Sequence, residues 1–254
     1  MNKFVNATMM AVALCASGTG AAQAADIISE SRAVDARIVK VVLDGVIDLK
    51  LKQGAQAALV ISGERRYLPK VVVTQSGETL RIGTDLRGIH IGRPALRAEL
   101  TLPNLSELVS AGVGSADVQG FSGERIRVAL DGAGAMQLQA QYRNLDANLN
   151  GAGSMTVNTG LAESVALNLR GAGQMVVSGQ SRNLRAHLGG VGSLDAQQLK
   201  SDSVDVDMTG MGGATVFART SANLRLTGLG SATVYGQPAS RNASARGLGH
   251  VNWH

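Results

Sequence analysis

A Gly-x-Gly triplet recurs through the second half of this 254-residue chain at nearly constant spacing. Its first glycines are Gly112, Gly132, Gly151, Gly171, Gly190, Gly210, Gly228 and Gly247; its second are Gly114, Gly134, Gly153, Gly173, Gly192, Gly212, Gly230 and Gly249. The steps are 20, 19, 20, 19, 20, 18 and 19 residues. A period of this length marks a repeat architecture, in which each unit buries its apolar face against the next. Six residues before the first glycine stand Ile126, Leu145, Val165, Leu184 and Val204; two before it stand Leu130, Leu149, Leu169, Leu188, Met208 and Leu226. Apolar residues return four and six places after it, as in Met155 and Val157 or Met175 and Val177. A period of two is that of a strand with one buried face. Each repeat therefore reads as strand, glycine corner, strand and a short return.

That spacing predicts an all-β parallel β-helix, a solenoid of about eight regular 19–20-residue coils, stacked about 4.8 Å apart. Equivalent positions then form ladders along the stack. Met136, Met155, Met175 and Leu194 make one such ladder and read as core filling, since a methionine stripe adapts to irregular gaps. The corner glycines are expected for two reasons. A positive φ costs an L-residue about 1–2 kcal/mol, and side chains repeated at the corner would collide between coils.

Residues 25–104 are β-rich but off the period. Strands are expected at 39–43, 46–52, 58–62, 71–74, 79–82 and 96–102, with Gly45, Gly54, Gly63, Gly77, Gly83 and Gly92 as turns. A single helical turn is expected near 26–31. Pro103-Asn104 marks the start of the regular half, residues 105–254, and no linker separates the halves. Residues 25–254 are expected to form one body.

Residues 1–24 read as a bacterial secretory signal. Lys3 is followed by the apolar run 9–14 and then by Ala22-Gln23-Ala24, a small-residue site that places cleavage before Ala25. The only cysteine, Cys15, lies inside it, behind Leu14 where a lipoprotein signal carries a small residue. The mature chain is thus expected to have no disulfide, no lipid anchor and no transmembrane segment. The net charge of +5 is spread without a basic stripe, which argues against nucleic acid as a partner.

The runs Gly-Val-Gly-Ser at 112–115, Gly-Ala-Gly-Ser at 151–154, Gly-Val-Gly-Ser at 190–193 and Gly-Leu-Gly-Ser at 228–231 resemble the head GIN domain family of proposed auto-transporter adhesins. The first half agrees through Gly45-Val46-Ile47-Asp48-Leu49-Lys50-Leu51-Lys52-Gln53-Gly54, Tyr67-Leu68-Pro69-Lys70 and Leu100-Thr101-Leu102-Pro103-Asn104-Leu105. The resemblance spans almost the whole of 25–254. It implies a right-handed, single-stranded β-helix of pectin-lyase-like architecture, a role in cell adhesion and no catalytic residues. With no sequence after His254, neither a translocator barrel nor a trimeric anchor is expected on this chain.

Five patterns could carry chemistry here. A dinucleotide fingerprint fails, because the third glycine and the following helix are missing. Calcium-binding nonapeptide repeats need an aspartate in each turn, and only Asp117 and Asp195 stand at the matching place. A glycosidase pair is the sharpest alternative: Asp205 and Asp207 alternate with Val204, Val206 and Met208, so they point outward about 7 Å apart. Arg185, His187, Asn223 and Arg225 surround them in neighbouring coils, which favours a charge-paired surface. The aromatics Tyr67, Tyr142, Tyr235, Phe121, Phe217 and Trp253 are not expected to line one face as a sugar platform. A flat Ser/Thr face of the ice-binding kind is also disfavoured, because the outward row Asp117, Gln137, Thr156, Val176, Asp195, Thr215 and Thr233 is irregular. Ser115, Ser154, Ser193 and Ser231 recur three places after the first glycine. Three places before it come Asn148, Asn168, His187, Asp207 and Arg225, the candidate binding row, in which Asn148 and Asn168 should stack amide on amide.

The sequence thus reads as a non-enzymatic secreted, periplasmic or cell-surface β-helix, an adhesion or surface-binding module without catalytic residues, cofactor or metal. Its partner would be a surface ligand, protein or glycan, and homo-oligomerisation stays open. Two alternatives remain: a polysaccharide-active β-helix enzyme and a periplasmic structural or envelope-stress protein.

Overall fold

The computed structural model describes residues 27–85 and 95–254. The signal segment with Cys15, and the turn glycine Gly92, lie outside the described residues. In chain order the strands are β1 (Ile27–Arg32), β2 (Lys40–Asp44), β3 (Asp48–Gln53), β4 (Ala58–Glu64), β5 (Val71–Ser76), β6 (Thr79–Thr84), β7 (Arg97–Leu102) and β8 (Glu107–Ser110). The repeat half follows as β9 (Val113–Leu130), β10 (Ala133–Leu149), β11 (Ala152–Leu169), β12 (Ala172–Gly228), β13 (Ser231–Tyr235), β14 (Ser240–Gly247) and β15 (His250–Trp253). A 3-10 turn, Leu68–Lys70, carries Pro69 where the helix start needs no N–H.

Every backbone N–H and C=O of an apolar, alternating run needs a partner, and here the next coil supplies it. β10 pairs in parallel with β9 on one side and β11 on the other. Met136 stands opposite Ala116 and Met155, and Leu145 opposite Ile126 and Val165, so each coil sets like residues over like. The approach side of the triplet buries Leu130, Leu149, Leu169, Leu188, Met208 and Leu226; the exit side buries Met136, Met155, Met175 and Leu194. Burial of one such side chain stabilises the fold by about 1.5–3 kcal/mol. On the return, Phe121 and Tyr142 fill the interior, and Tyr142 Oη donates to the carbonyl of Leu105 at 2.6 Å. Burial raises the pKa of that phenol, which keeps it the neutral donor the bond requires.

The result is a parallel β-solenoid of about seven turns, in keeping with the eight or so coils expected. The last triplet lies on the terminal rung, where β14 is exposed along its whole length. Among the described residues, all fifteen strands join one sheet.

The first half forms the other end of this stack. The six strands expected there are β2 to β7. The coil β2–β3 lies between two others, since β2 pairs in parallel with β6 and β8, and β3 with β7 and β9. Beyond β6–β7 the direction reverses: β5 runs antiparallel to β6, β4 to β7 and β1 to β4. Terminal repeats of a solenoid need such a cap, because a parallel edge would template further pairing. The helical turn expected near 26–31 is corrected here: from Ile27 onward the stretch is β1, whose pairing with β4 overrides any local preference.

The triplet is where coils approach most closely. The residue between the glycines donates its N–H to the carbonyl of the first glycine one coil below. Ala133 bonds Gly112 (3.1 Å), Ala152 bonds Gly132 (3.1 Å), Ala172 bonds Gly151 (3.2 Å) and Val191 bonds Gly171 (3.2 Å). A Cβ added at Gly132, Gly151 or Gly171 would overlap that same carbonyl oxygen. Gly45, expected only as a turn, is the ladder's first rung, accepting from Val113 N–H at 2.7 Å. One coil further down a side chain takes over, Thr84 Oγ1 accepting from Val46 N–H at 2.8 Å. The expectation of a positive φ at every corner is corrected. Gly190, Gly210, Gly228 and Gly247 hold φ of 98, 129, 118 and 107°, whereas Gly112, Gly132, Gly151 and Gly171 are not left-handed. Contact between coils alone demands glycine at Gly112, Gly132, Gly151 and Gly171, whereas Gly45, at φ 93°, is left-handed as well.

Gly171→Val should therefore cost about 3 kcal/mol or more through overpacking and a lost inter-coil bond, lowering the melting temperature by roughly 6–12 °C. Thr215→Val, on an outward position paired with Thr233, should stay within about 0.5 kcal/mol of wild type. Equal melting temperatures for the two variants would refute the contact argument.

Candidate functional site

The outer surface is a set of rows, one residue per coil. In the row three before the triplet, Asn148 lies in register with Asn168, and Asn168 with His187. Asn168 Nδ2 donates to Asn148 Oδ1 at 3.0 Å, so these two amides do stack. Arg225 leaves its own row and reaches Asp205 Oδ1 at 3.8 Å, where Asn223 Nδ2 also donates at 3.2 Å. The structure thus joins Asn148 to Asn168 directly and ties Arg225 diagonally to the neighbouring acid, while His187 is exposed and Asp207 half-buried. The serine row is interrupted: Ala135 stands between Ser115 and Ser154, and Gln174 follows Ser154. Asp117 accepts from Gln119 Nε2 at 3.1 Å to each oxygen, and Asp195 accepts from the N–H of Gln197 at 3.1 Å. Among the described residues no group of three or more His, Cys, Asp or Glu is placed to hold a metal ion.

Two rows escaped the sequence reading. Eight residues before the triplet, or nine in the 18-residue coil, stand Glu124, Arg143, Glu163, Arg182, Asp202 and Arg219, alternating strictly in sign. Arg143 Nη1 lies 3.3 Å from Glu124 and its Nη2 2.9 Å from Glu163; Arg182 lies 4.0 Å from Glu163 and Arg219 3.3 Å from Asp202. Hydrogen bonding and charge from Arg143, with a smaller part from Arg182, hold the Glu163 carboxyl below its ordinary pKa, and Glu163 and Glu124 raise that of Arg143. A one-coil slip would set like charges against each other, so this row specifies the register. Counting backward from each glycine would have found it.

The second row stands seven residues after the first glycine: Gln119, Gln139, Asn158, Ser178, Gln197, Phe217, Tyr235 and His254. Pairing places Gln139 beside Gln119 and Asn158, Asn158 beside Ser178, and Phe217 beside Tyr235. The His254 ring stacks on Tyr235 with centroids 5.2 Å apart. The six aromatics do not line one face together, since Tyr67, Phe121 and Tyr142 are buried, but Phe217 and Tyr235 are successive rungs of this row. Two clefts open along this row. One, of 520 Å³, is bordered by Gln119, Gln139, Gln141 and Asn158; the other, of 390 Å³, by Gln197, Phe217, Tyr235 and His254. The residues between the glycines form a bare apolar edge, with Val113, Val191, Met211, Leu229 and Leu248 each about half exposed or more.

Stacked parallel coils with an exterior of in-register rows define a repetitive β-solenoid. The sequence profile of the family described as "putative auto-transporter adhesin, head GIN domain" matches residues 39–238, and the chain belongs to that family. No curated protein matches it. Among solved structures it is similar to a "putative adhesin" from Parabacteroides distasonis ATCC 8503, at 20% identity and a TM-score of 0.82, over 91% of this chain and 98% of that one. A "putative lipid binding protein" from the same strain gives 18%, 0.82, 91% and 98%. A "putative adhesin" from Parabacteroides merdae ATCC 43184 gives 18%, 0.80, 90% and 96%. At these identities the likeness shows the fold. Among the described residues no helix is long and apolar enough to cross a membrane.

The charge row yields a pH prediction. A carboxylate of depressed pKa adds stability that is complete above its unfolded pKa, near 4.3 for Glu, and is lost as pH falls through the folded value. Arg143→Gln should lower the melting temperature at pH 7, and the gap from wild type should close below about pH 4. A gap that stays constant down to pH 3 would show that Glu163 draws nothing from Arg143.

Proposed function

We propose that the chain is an exported, non-enzymatic adhesion module that presents its in-register outer rows to a surface ligand. The observation that carries this reading is the regularity of the exterior. A ligand lying along the solenoid meets one side chain of each row every 4.8 Å or so, and that regular spacing suits an extended partner better than a single small substrate. Family membership supports the same reading. Residues 1–24 act as the cleaved signal, and 25–254 form one head GIN domain in the periplasm or at the cell surface. The row Asn148, Asn168, His187, Asp207 and Arg225 belongs to the proposed binding exterior. Asp205, engaged by Asn223 and Arg225, is part of that surface and not of a hydrolytic pair.

Fractionation of cells making the full chain should find a mature form beginning at Ala25 outside the cytoplasm, and the purified form should adhere to intact cells. Polygalacturonate and neutral polysaccharides should not be depolymerised, either by the wild type or by the variant with Asp205 and Asp207 both changed to Asn. Depolymerisation that disappears in that double variant would replace the binding module with an enzyme.

A further inference from the structure

We propose that the row from Gln119 to His254 is a binding groove for an extended, uncharged, hydroxyl-rich polysaccharide. This rests on the reading of the chain as a binding module and names the ligand class. Three observations converge on it.

The first is shape. Both clefts of 520 and 390 Å³ lie on this one row, one near each end. Eight rungs at 4.8 Å give a track about 34 Å long, enough for several sugar units laid along the axis. The chain turns just past the row at Gly120, Gly160, Gly179 and Gly236, with φ of 84, 61, 123 and 98°. The glycines themselves place no side chain at these turns.

The second is hydrogen-bonding chemistry. A side-chain amide offers an acceptor oxygen and two donor hydrogens in one plane, which matches neighbouring hydroxyls that each donate and accept. The row supplies such groups at Gln119, Gln139, Asn158 and Gln197, with a hydroxyl at Ser178. Some are already committed: Gln119 Nε2 to Asp117, and Asn158 Oδ1 to the N–H of Gly160 at 3.1 Å. The exposed amides of Gln139 and its cleft neighbour Gln141 are free for a ligand. Towards the far end the stacked rings of Tyr235 and His254 add apolar surface against which the C–H faces of a sugar ring can pack.

The third is charge. A polyanion needs unpaired cations, and Lys200 is the cation bordering the ring cleft. Its Nζ stands 3.8 Å from the Phe217 ring centroid and donates to the carbonyl of Gln197 at 3.2 Å. Asp117 and Asp195, two residues before Gln119 and Gln197, would repel an acidic polymer. A neutral polymer pays neither penalty.

The test is affinity electrophoresis of the mature protein through gels carrying dextran, xylan or mannan, with polygalacturonate and heparin as charged controls. At least one neutral polymer should retard it. Gln139→Ala, on an exposed position, and Tyr235→Ala should each weaken that retardation about ten-fold, whereas Lys40→Ala, exposed on β2 and outside both rows, should not. Melting temperatures of the variants check that each is folded, and Gln139→Ala decides the matter if Tyr235→Ala is not. Retardation by the charged polymers alone, by no neutral polymer, or equally in Gln139→Ala and wild type would overturn the proposal. Cell adhesion that persists in Gln139→Ala would then leave the binding module standing with its ligand elsewhere. Loss of adhesion in the wild type itself would remove the reading on which the groove rests.

Discussion

The close approach of successive coils at the glycine corner governs the rest of this molecule. An N–H of one coil points at a glycine carbonyl of the coil below, and the bond forms only because no Cβ stands between them. Repeated from Gly45 to Gly228, this contact fixes the coil spacing at the corner, and the spacing sets everything that stacks. Leucine and methionine ladders fill the interior because equivalent positions lie directly over one another. Charges on the return must alternate in sign for the same reason, as they do from Glu124 to Arg219. A repeat protein of this kind holds together through neighbour contacts, so each corner contributes locally and no single one stabilises the whole.

Much of the architecture was legible in the sequence, because a fixed period converts linear position into spatial register. The buried ladders, the amide contact between Asn148 and Asn168, and six strands of the irregular half all followed from alternation and spacing. β1 was missed because its strand character comes from pairing with β4, 27 to 37 residues away, and its own residues signal little. The backbone angles were misjudged for a related reason: sequence marks a corner as glycine without telling steric contact from positive φ. Gly171 and Gly190 look alike in the chain, yet only Gly190 is left-handed.

The candidate site was less legible. Reading outward from the glycines by three places drew attention to Asn148, Asn168, His187, Asp207 and Arg225, where part of the polar chemistry is spent between coils. The row at seven places was overlooked because its residue types change midway, from amides to rings, so no single composition announces it. Phe217 and Tyr235 are 18 residues apart in the chain and adjacent in space, a relation visible only once the shortened coil is counted. Surfaces of solenoids are best read as columns at fixed offset from the corner, whatever residues fill them.

Hydrogen exchange at the corners tests the central contact directly. Val113, Val191, Leu229 and Leu248 expose their side chains, so a freely solvated corner would exchange their amide protons as quickly as a surface loop. If instead each N–H is bonded to the glycine carbonyl one coil below, the amides of Val113, Ala133, Ala152 and Ala172 should be protected as strongly as that of buried Met155. Fast exchange at these four positions, beside slow exchange at Met155, would contradict the account.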